Sequence, residues 1–187
     1  MLDINTEPAS SSPQSFTPSG EFMFFTTSDD SYGTRLWKTD GTSDGTVSVV
    51  DASMIGGGGP VELKDVNGTL YFTVAGPSGY RLWKTDGTAA GTMSINGSGS
   101  NTFSNPYDLT NVNGTLFFLA SGNQLQPEIV RTDGTAAGTK VLFSLPHDLS
   151  PTAHLALQRY SLPLGGKGNH GGTETRRRIP GEGTHSQ

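Results

Sequence analysis

A twelve-residue string recurs at nearly constant spacing along the chain. The three copies read RLWKTDGTSDGT over 35–46, RLWKTDGTAAGT over 81–92 and EIVRTDGTAAGT over 128–139. Their aspartates, Asp40, Asp86 and Asp133, stand 46 and then 47 residues apart. Periods of this length are typical of solenoids and propellers, in which each repeat buries its apolar surface against its neighbours. This period constrains the fold more than any other feature of the sequence.

Two further landmarks keep the same register as this string. The segment VNGTLYF over 66–72 recurs as VNGTLFF over 112–118, and SGEFMF over 19–24 is its degenerate first copy. A proline opens each unit, at Pro13, Pro60 and Pro106. Three landmarks in register indicate a true repeat. They divide the chain into the end of a preceding blade with its linker (1–12) and three repeats, at 13–59, 60–105 and 106–150.

Each repeat reads as four short strands, most clearly in the second. VELKDV is followed by Asn67-Gly68, which favours a two-residue hairpin because a type I′ turn needs positive φ at both central residues. TLYFTV returns, and a variable segment rich in Gly, Pro and Ser leads into YRLWKT. Asp86-Gly87 then begins a second turn, in which the aspartate side chain can accept bonds from backbone N–H groups ahead of it. The strand MSI ends the unit.

The apolar residues of these strands form continuous runs, such as Leu70-Tyr71-Phe72 and Leu116-Phe117-Phe118-Leu119. A strand that is apolar on both faces has to be covered on both faces. A four-stranded sheet packed between copies of itself is a propeller blade. We therefore predict an all-β fold, a partial β-propeller of about three four-stranded antiparallel blades. The alternative is a β-solenoid-like repeat array.

Residues 151–187 keep the register of a fourth repeat but lose its pattern. ALQRYSLPL stands where the NGTLFF hairpin is expected, and TRRRIP stands where LWKTDG is expected. Such a segment buries too little apolar surface to offset its ordering entropy. We predict a degenerate or frameshifted fourth repeat, an irregular C-terminal tail that is largely disordered. The chain also starts in mid-repeat, without the charged and apolar regions of a signal peptide.

Charge and composition exclude several classes of partner and chemistry. Residues 1–150 carry 7 Lys/Arg against 15 Asp/Glu, and this acidic body argues against nucleic acid. Arg176, Arg177 and Arg178 lie in a Gly-rich tail, where a solvated run is the simpler interpretation. The absence of Cys excludes disulfides and thiolate catalysis. No apolar run reaches the roughly 18 residues of a membrane span.

Asp40, Asp86 and Asp133 could be catalytic carboxylates or parts of a turn. A catalytic group is needed once, whereas these recur in every repeat beside the same Gly and Thr, which favours the turn. Calcium binding by Asp40 and Asp44 is a weaker hypothesis, because Ala90 and Ala137 replace Asp44 in the other copies.

The other candidate residues are explained more simply by packing, turns or solvation than by a functional site. Trp37 and Trp83 could be sugar platforms, but their mid-strand positions favour cores between blades. Asp29-Asp30 lies in a variable segment, where solvation is the simpler interpretation. The sequon asparagines Asn67 and Asn113 read as turns, and Asn96 begins a third sequon. No zinc spacing links the histidines His147, His154, His170 and His185. We predict no catalytic residue, no cofactor site and no metal site.

The segment Arg81–Thr92 closely resembles the bacterial repeat family named for its ELWxxDGTxxGT motif. It matches the motif everywhere except the first position, where Arg81 replaces Glu; the third copy restores Glu128 but has Ile129-Val130 in place of Leu-Trp. The resemblance covers about residues 1–150. It implies propeller-like blades in a large secreted or cell-surface bacterial protein, with no assigned chemistry.

The functional hypothesis is a non-enzymatic repeat segment that serves as a scaffold or binding surface. The alternative is a fragment of a glycan-active propeller enzyme whose catalytic residues lie outside this chain. The expected ligand is a protein or a glycan, held at the variable loops 26–34, 73–80 and 119–127. We also expect self-association through open blade faces, because a propeller typically needs about 4–8 blades.

Overall fold

The computed structural model describes residues 11–29, 33–50, 55, 58–96, 103–121 and 126–144. The regular structure in these ranges is entirely β. The predicted tail at 151–187 lies outside the described residues. The twelve strands are β1 (Gln14–Ser19), β2 (Phe22–Asp29), β3 (Gly33–Thr39), β4 (Val47–Val50), β5 (Pro60–Val66), β6 (Thr69–Gly76), β7 (Gly79–Thr85), β8 (Met93–Ile95), β9 (Ser104–Val112), β10 (Thr115–Ser121), β11 (Pro127–Thr132) and β12 (Lys140–Ser144).

The strands form three antiparallel four-stranded sheets, each built from four consecutive strands. We call them blade 1 (β1–β4), blade 2 (β5–β8) and blade 3 (β9–β12). Backbone pairing between strands stays inside each blade, and the blades pack face to face. A solenoid would instead share its sheets between successive repeats. The prediction of an all-β partial propeller is confirmed, and the solenoid alternative is wrong.

The first hairpins of blades 2 and 3 form as their sequence predicts. Asn67 and Gly68 have φ of 54° and 80°, and Asn113 and Gly114 have φ of 49° and 80°. Both central residues of the turn are therefore left-handed, as a type I′ turn demands. Because this turn fixes the register of the hairpin, it also fixes which residues of β6 and β10 face each neighbouring blade.

A bulge interrupts the first strand of every blade at the same place. A non-glycine residue there has positive φ of 57°, 52° and 58°, at Ser15, Glu62 and Asp108 respectively. The pairing with the second strand shifts register across each of these positions. A bulge bends its strand and redirects the side chains that follow it. The residues after these three are apolar: Phe16, Leu63 and Leu109.

Two hydrophobic clusters join the blades. The first packs Phe24, Leu36 and Val50 of blade 1 with residues of blade 2, chiefly Leu70, Phe72 and Val74. The second packs Tyr71, Leu82 and Ile95 of blade 2 with residues of blade 3, chiefly Leu116, Phe118 and Val130. Blade 2 is thus covered on both faces, which accounts for the continuous apolar run of β6.

The two tryptophans have different surroundings, although they occupy equivalent positions. Trp83 packs against the cluster between blades 1 and 2, as predicted. Trp37 pairs with Phe25 on the face of blade 1 that points away from blade 2, with ring centroids 6.4 Å apart. No described blade lies on that side, so the interblade position of Trp37 stays a prediction. Among the described residues, no helix is long and apolar enough to cross a membrane.

Candidate functional site

The recurring TDGTxxGT string forms a closed turn between the third and fourth strands of each blade. In blade 2, Asp86 Oδ1 accepts hydrogen bonds from the backbone N–H and the hydroxyl of Thr88, at 2.8 and 2.7 Å. Thr88 Oγ1 in turn accepts from the Gly91 N–H at 2.9 Å. Thr85 Oγ1 accepts from the Gly87 N–H at 3.0 Å. The side chains of the motif therefore satisfy the backbone of their own turn.

The last threonine locks the turn to the strand before it. Thr92 Oγ1 donates to the Thr88 carbonyl at 2.6 Å and lies 2.7 Å from Thr85 Oγ1. A hydroxyl has a single proton to donate. Since Thr92 donates its proton to Thr88, the proton between the two hydroxyls has to come from Thr85. The two ends of the motif are thus joined by a directed chain of hydrogen bonds.

This network is repeated in all three blades. The bonds around Asp40 and Asp133 match those around Asp86 to within 0.1 Å. The first glycine of each copy has φ near 90° (94°, 89° and 88° at Gly41, Gly87 and Gly134). A Cβ on the second glycine would overlap the carboxylate of the same turn, at Gly45, Gly91 and Gly138. The motif is therefore fully accounted for as a structural turn.

The electrostatics of the three aspartates disfavour proton-transfer chemistry. The hydroxyl and then the backbone N–H of the threonine two residues on lower the pKa of Asp40, Asp86 and Asp133. A general acid or base works best with a pKa near the working pH. A carboxylate held ionised by its own turn is poorly suited to that role. The structural interpretation of these residues from the sequence agrees with this geometry.

A lysine of one blade reaches the aspartate turn of the next. A Cβ built on Gly87 would lie 3.1 Å from Cδ and 3.2 Å from Nζ of Lys38, so the lysine stem lies against that glycine. Lys84 lies against Gly134 in the same way, with Nζ at 3.3 Å. These cations also lower the pKa of Asp86 and Asp133.

Sequence reasoning missed these lysine contacts. The recurring Lys in LWKTDG was the available signal, but each lysine is 48 or 49 positions before the aspartate that it approaches.

Polar side chains also join the first hairpins of neighbouring blades. Ser19 Oγ donates to Asp65 Oδ1 at 2.5 Å, and Asn111 Nδ2 donates to the Asp65 carbonyl at 2.9 Å. Asn67 Nδ2 donates to the Gly114 carbonyl at 3.2 Å. Each blade is thus held to the next at the end where the two conserved turns lie. These bonds could not be predicted from the sequence, because the partners differ in type from blade to blade.

The variable connections lie at the opposite end of the blades and are shorter than predicted. β2 continues to Asp29 and β3 begins at Gly33; in blade 2 only Pro77-Ser78 separates β6 from β7. The predicted loops 26–34 and 73–80 therefore consist largely of strand, and β10 extends to Ser121 inside the predicted loop 119–127. The composition rich in Gly, Pro and Ser suggested loops, but antiparallel pairing continues as far as Gly76 and Gly79.

The remaining candidates do not come together. Asp44 and Asn96 are exposed at separate places, while Asp30 and the four histidines lie outside the described residues. Within the described ranges, no group of three or more His, Asp or Glu side chains is placed to hold a metal ion.

Comparisons with known proteins add no family to this picture. A scan against models of known protein families finds no match. A search of curated proteins finds no similar sequence. The two recurring turns and the variable end of the blades are therefore interpreted from their geometry alone.

Proposed function

We propose that this chain is a non-enzymatic propeller-blade segment of a secreted or cell-surface bacterial protein, and that it serves as a scaffold with a binding surface at one end. The observation that carries the proposal is the identical network around Asp40, Asp86 and Asp133. These carboxylates are the only recurring acidic residues of the motif, and each is engaged by the threonine of its own turn. The resemblance to the ELWxxDGT repeats supports the cellular location.

In this proposal the two ends of the blades have different roles: one holds the blades together, and the other binds the ligand. One end carries both conserved turns and the polar bonds between blades, so changes there alter packing. The other end carries the connections that differ most between repeats in sequence. Binding residues are found disproportionately on variable connections that a rigid scaffold positions. The binding surface therefore belongs at the variable end, around the β2–β3, β6–β7 and β10–β11 connections.

Tyr80 is the best-placed described side chain for contact at this end. It follows the Pro77-Ser78 turn and is 45% exposed. Its backbone N–H donates to Asn105 Oδ1 of blade 3 at 2.9 Å, which fixes the turn against the neighbouring blade. An aromatic ring with a hydroxyl on a fixed backbone suits a protein or glycan surface, because it offers area and a hydrogen bond at little entropic cost.

A glycan array tests the binding surface. The wild-type chain is compared with Tyr80→Ser at the variable end and with Ala89→Ser/Ala90→Asp at the conserved end. The second variant is a matched control, because it copies Ser43-Asp44 of the equivalent turn in blade 1. We expect at least tenfold weaker binding for Tyr80→Ser and unchanged binding for the control. Binding lost in the control but kept in Tyr80→Ser would contradict the proposal.

The same samples address the alternative of a glycan-active enzyme fragment. Bound oligosaccharides are recovered and their lengths measured by mass spectrometry. We expect them to be recovered intact. Shortened products that accumulate with time in proportion to the wild-type chain would favour the enzyme instead.

A further inference from the structure

Each blade has two faces with distinct roles in packing. We call the face that packs on the preceding blade the leading face, and the one that packs on the following blade the trailing face. In blade 2 the leading face carries Leu70, Phe72 and Val74, and the trailing face carries Leu82 and Lys84. The three described blades therefore leave one leading face open, on blade 1, and one trailing face open, on blade 3.

The open leading face of blade 1 exposes residues whose counterparts are buried. Phe16 follows the bulge of β1 and is 59% exposed, whereas Leu109 at the same position of blade 3 is 5% exposed. Met23 is 37% exposed, whereas its counterpart Leu70 is fully buried. Phe16 stacks on Phe25 with centroids 5.5 Å apart, and Trp37 extends the stack. The face has the composition of an interblade surface.

The aspartate turn of blade 1 shows the same contrast. Gly41 is exposed, whereas Gly87 and Gly134 are buried under the preceding blade. Asp86 and Asp133 each have a lysine of the preceding blade beside them, whereas no cation of the described residues contributes to the lowered pKa of Asp40. Blade 1 thus presents a turn that lacks the cation found at the other two.

The open trailing face of blade 3 carries the surface that packs on a leading face in the two interblade contacts. Tyr107, Leu119, Ile129 and Phe143 are paired in a row across all four strands. The two outer members, Tyr107 and Phe143, are 39% and 41% exposed. Arg131 occupies the position of Lys38 and Lys84; it is exposed, whereas the two lysines are half-buried. Blade 3 thus presents an apolar row and a cation that meets no aspartate turn among the described residues.

The ends of the chain do not carry the two missing halves in their sequence. Residues 1–10 contain no Lys or Arg; residues 145–187 contain five, but none stands before Thr as Lys38, Lys84 and Arg131 do, and the segment has no Asp-Gly-Thr string. A second copy of the chain offers both, since its blade 1 has the turn and its blade 3 has the cation. Charge, apolar surface and the two interblade contacts already present in the chain all point to the same partner.

We propose that the 187-residue chain associates head to tail with a second copy, the trailing face of blade 3 docking on the leading face of blade 1 with Arg131 beside the Asp40 turn. A contact between two different faces forms a closed ring when its rotation closes and an open filament when it does not. Two copies supply six blades, which lies within the range of about 4–8 blades of closed propellers. The proposed assembly is a ring of two copies. The proposal does not rest on what the variable end binds.

Complementary blocking variants test this contact in the full chain. Phe16→Glu places a charge on the open leading face, and Arg131→Glu reverses the charge on the open trailing face. Met93→Glu is the control: Met93 is 47% exposed on an outer strand of blade 2 and belongs to neither open face. Sedimentation velocity measures the mass at equal micromolar concentration, and circular dichroism checks that each variant keeps its β structure.

We expect the wild type and Met93→Glu to have the mass of two chains of 19.6 kDa each. Each blocking variant alone should have the mass of one chain. An equimolar mixture of the two variants should form a one-to-one complex, because each supplies the face that the other lacks. This recovery also shows that both variants are folded.

Three results would overturn the proposal. A monomeric wild type would show that the faces are covered by residues 1–10 or 145–187 of the same chain, or by nothing. Dimers of Arg131→Glu with monomers of Phe16→Glu would indicate a symmetric contact between two blade 1 faces. Monomers that persist in the mixture would exclude the head-to-tail contact.

A separate set of variants tests the position of Arg131. Arg131→Lys should keep the association, because lysine fills this position in blades 1 and 2, whereas Arg131→Met should weaken it at least tenfold. The pKa of Asp40, followed by carboxyl NMR, should fall further as the wild type associates. An Asp40 pKa that does not change with association would refute the placement of Arg131.

Discussion

At the scale of single residues, every conserved position of TDGTxxGT has a physical reason. The aspartate and all three threonines hold the turn by hydrogen bonds, the first glycine supplies the positive φ, and the second leaves room for the carboxylate. The two intervening positions, Ala89 and Ala90 in blade 2, are exposed, and they are also the positions that vary between the copies. Variation is thus confined to the side chains that make no part of the network.

The second glycine gives a prediction with an internal control. Gly91→Ala should lower the free energy of unfolding, because its Cβ would overlap the Asp86 carboxylate. In the background of Asp86→Ala the same substitution should have a smaller effect, since the carboxylate is then absent. Denaturant unfolding of the four proteins gives the coupling between the two sites. Additive effects would show that the carboxylate is not the reason for the glycine.

The aspartate pKa values give a second prediction, with an order of effects. Thr135→Val should raise the pKa of Asp133 more than Lys84→Met does, because the Thr135 hydroxyl is the largest cause of the lowering and Lys84 the smallest. Carboxyl NMR titration of the three proteins measures this. A larger change on removing Lys84 would show that the charge between blades dominates over the turn.

The sign of the pH effect follows from the same shifts. The folded-state pKa of each turn aspartate is lowered below its ordinary value of 3.8. Each aspartate therefore contributes stability that is present above pH 3.8 and is lost as the pH falls through the folded-state pKa. Glu62 acts in the opposite direction, because partial burial raises its pKa. That raised pKa removes stability above it and restores it below.

At the scale of elements, a strand has the same sequence pattern in each blade but not the same surroundings. The third strands of blades 1 and 2 both read RLWKT, yet Trp83 meets a blade and Trp37 meets none in the described part of the chain. Trp37 Nε1 donates to Thr27 Oγ1 at 3.0 Å. Val74 takes the place of Thr27 in blade 2, and the buried Trp83 Nε1 has no hydrogen-bond partner among the described residues.

Replacing the large side chain between blades tests the packing. Trp83→Ala should lower the free energy of unfolding by about 3–5 kcal/mol, as for other large-to-small changes in packed cores. Trp37→Ala should cost less in the dilute monomer, because no second blade covers it there. Denaturant unfolding at low protein concentration makes the comparison. Equal losses would mean that Trp83 stabilises the protein through contacts within its own sheet rather than through contacts with blade 1.

The unpartnered indole suggests a stabilising change. Val74→Thr should give Trp83 Nε1 the acceptor that Thr27 gives Trp37 and raise the free energy of unfolding by about 0.5–1.5 kcal/mol. Thr27→Val is the matched reverse and should lower it by a similar amount. Calorimetric melting of both variants measures the pair. A destabilised Val74→Thr would show that the indole N–H does not reach this position.

At the scale of the whole molecule, the sequence predicts the blades well and their mutual contacts poorly. The strands and the Asn67-Gly68 turn follow from local chemistry, because turn residues and apolar runs act within a few positions. The contact of Lys38 with the Asp86 turn depends on which faces meet, and so does the open position of Trp37. The bulge at Glu62 could not be predicted from the sequence either, because glutamate has no special preference for positive φ.

The arrangement of three blades combines one conserved end, two buried junctions and two open faces. The conserved end holds the blades together, and the variable end is free to differ without disturbing them. This division is the central claim: the recurring aspartates stabilise the scaffold, and recognition occurs elsewhere. The proposed binding surface follows from this division, whereas the proposed head-to-tail contact repeats between two chains the packing that already joins the blades.

The most direct measurement determines both the stability and the binding of Asp86→Ala. We predict that its free energy of unfolding falls by about 0.5–2 kcal/mol, by analogy with the loss of capping bonds to backbone N–H groups. We predict that its affinity for any glycan that the wild type binds on the array is unchanged under conditions where it remains folded. Unchanged stability together with lost binding or turnover would contradict the account, because Asp86 would then belong to a site rather than to a turn.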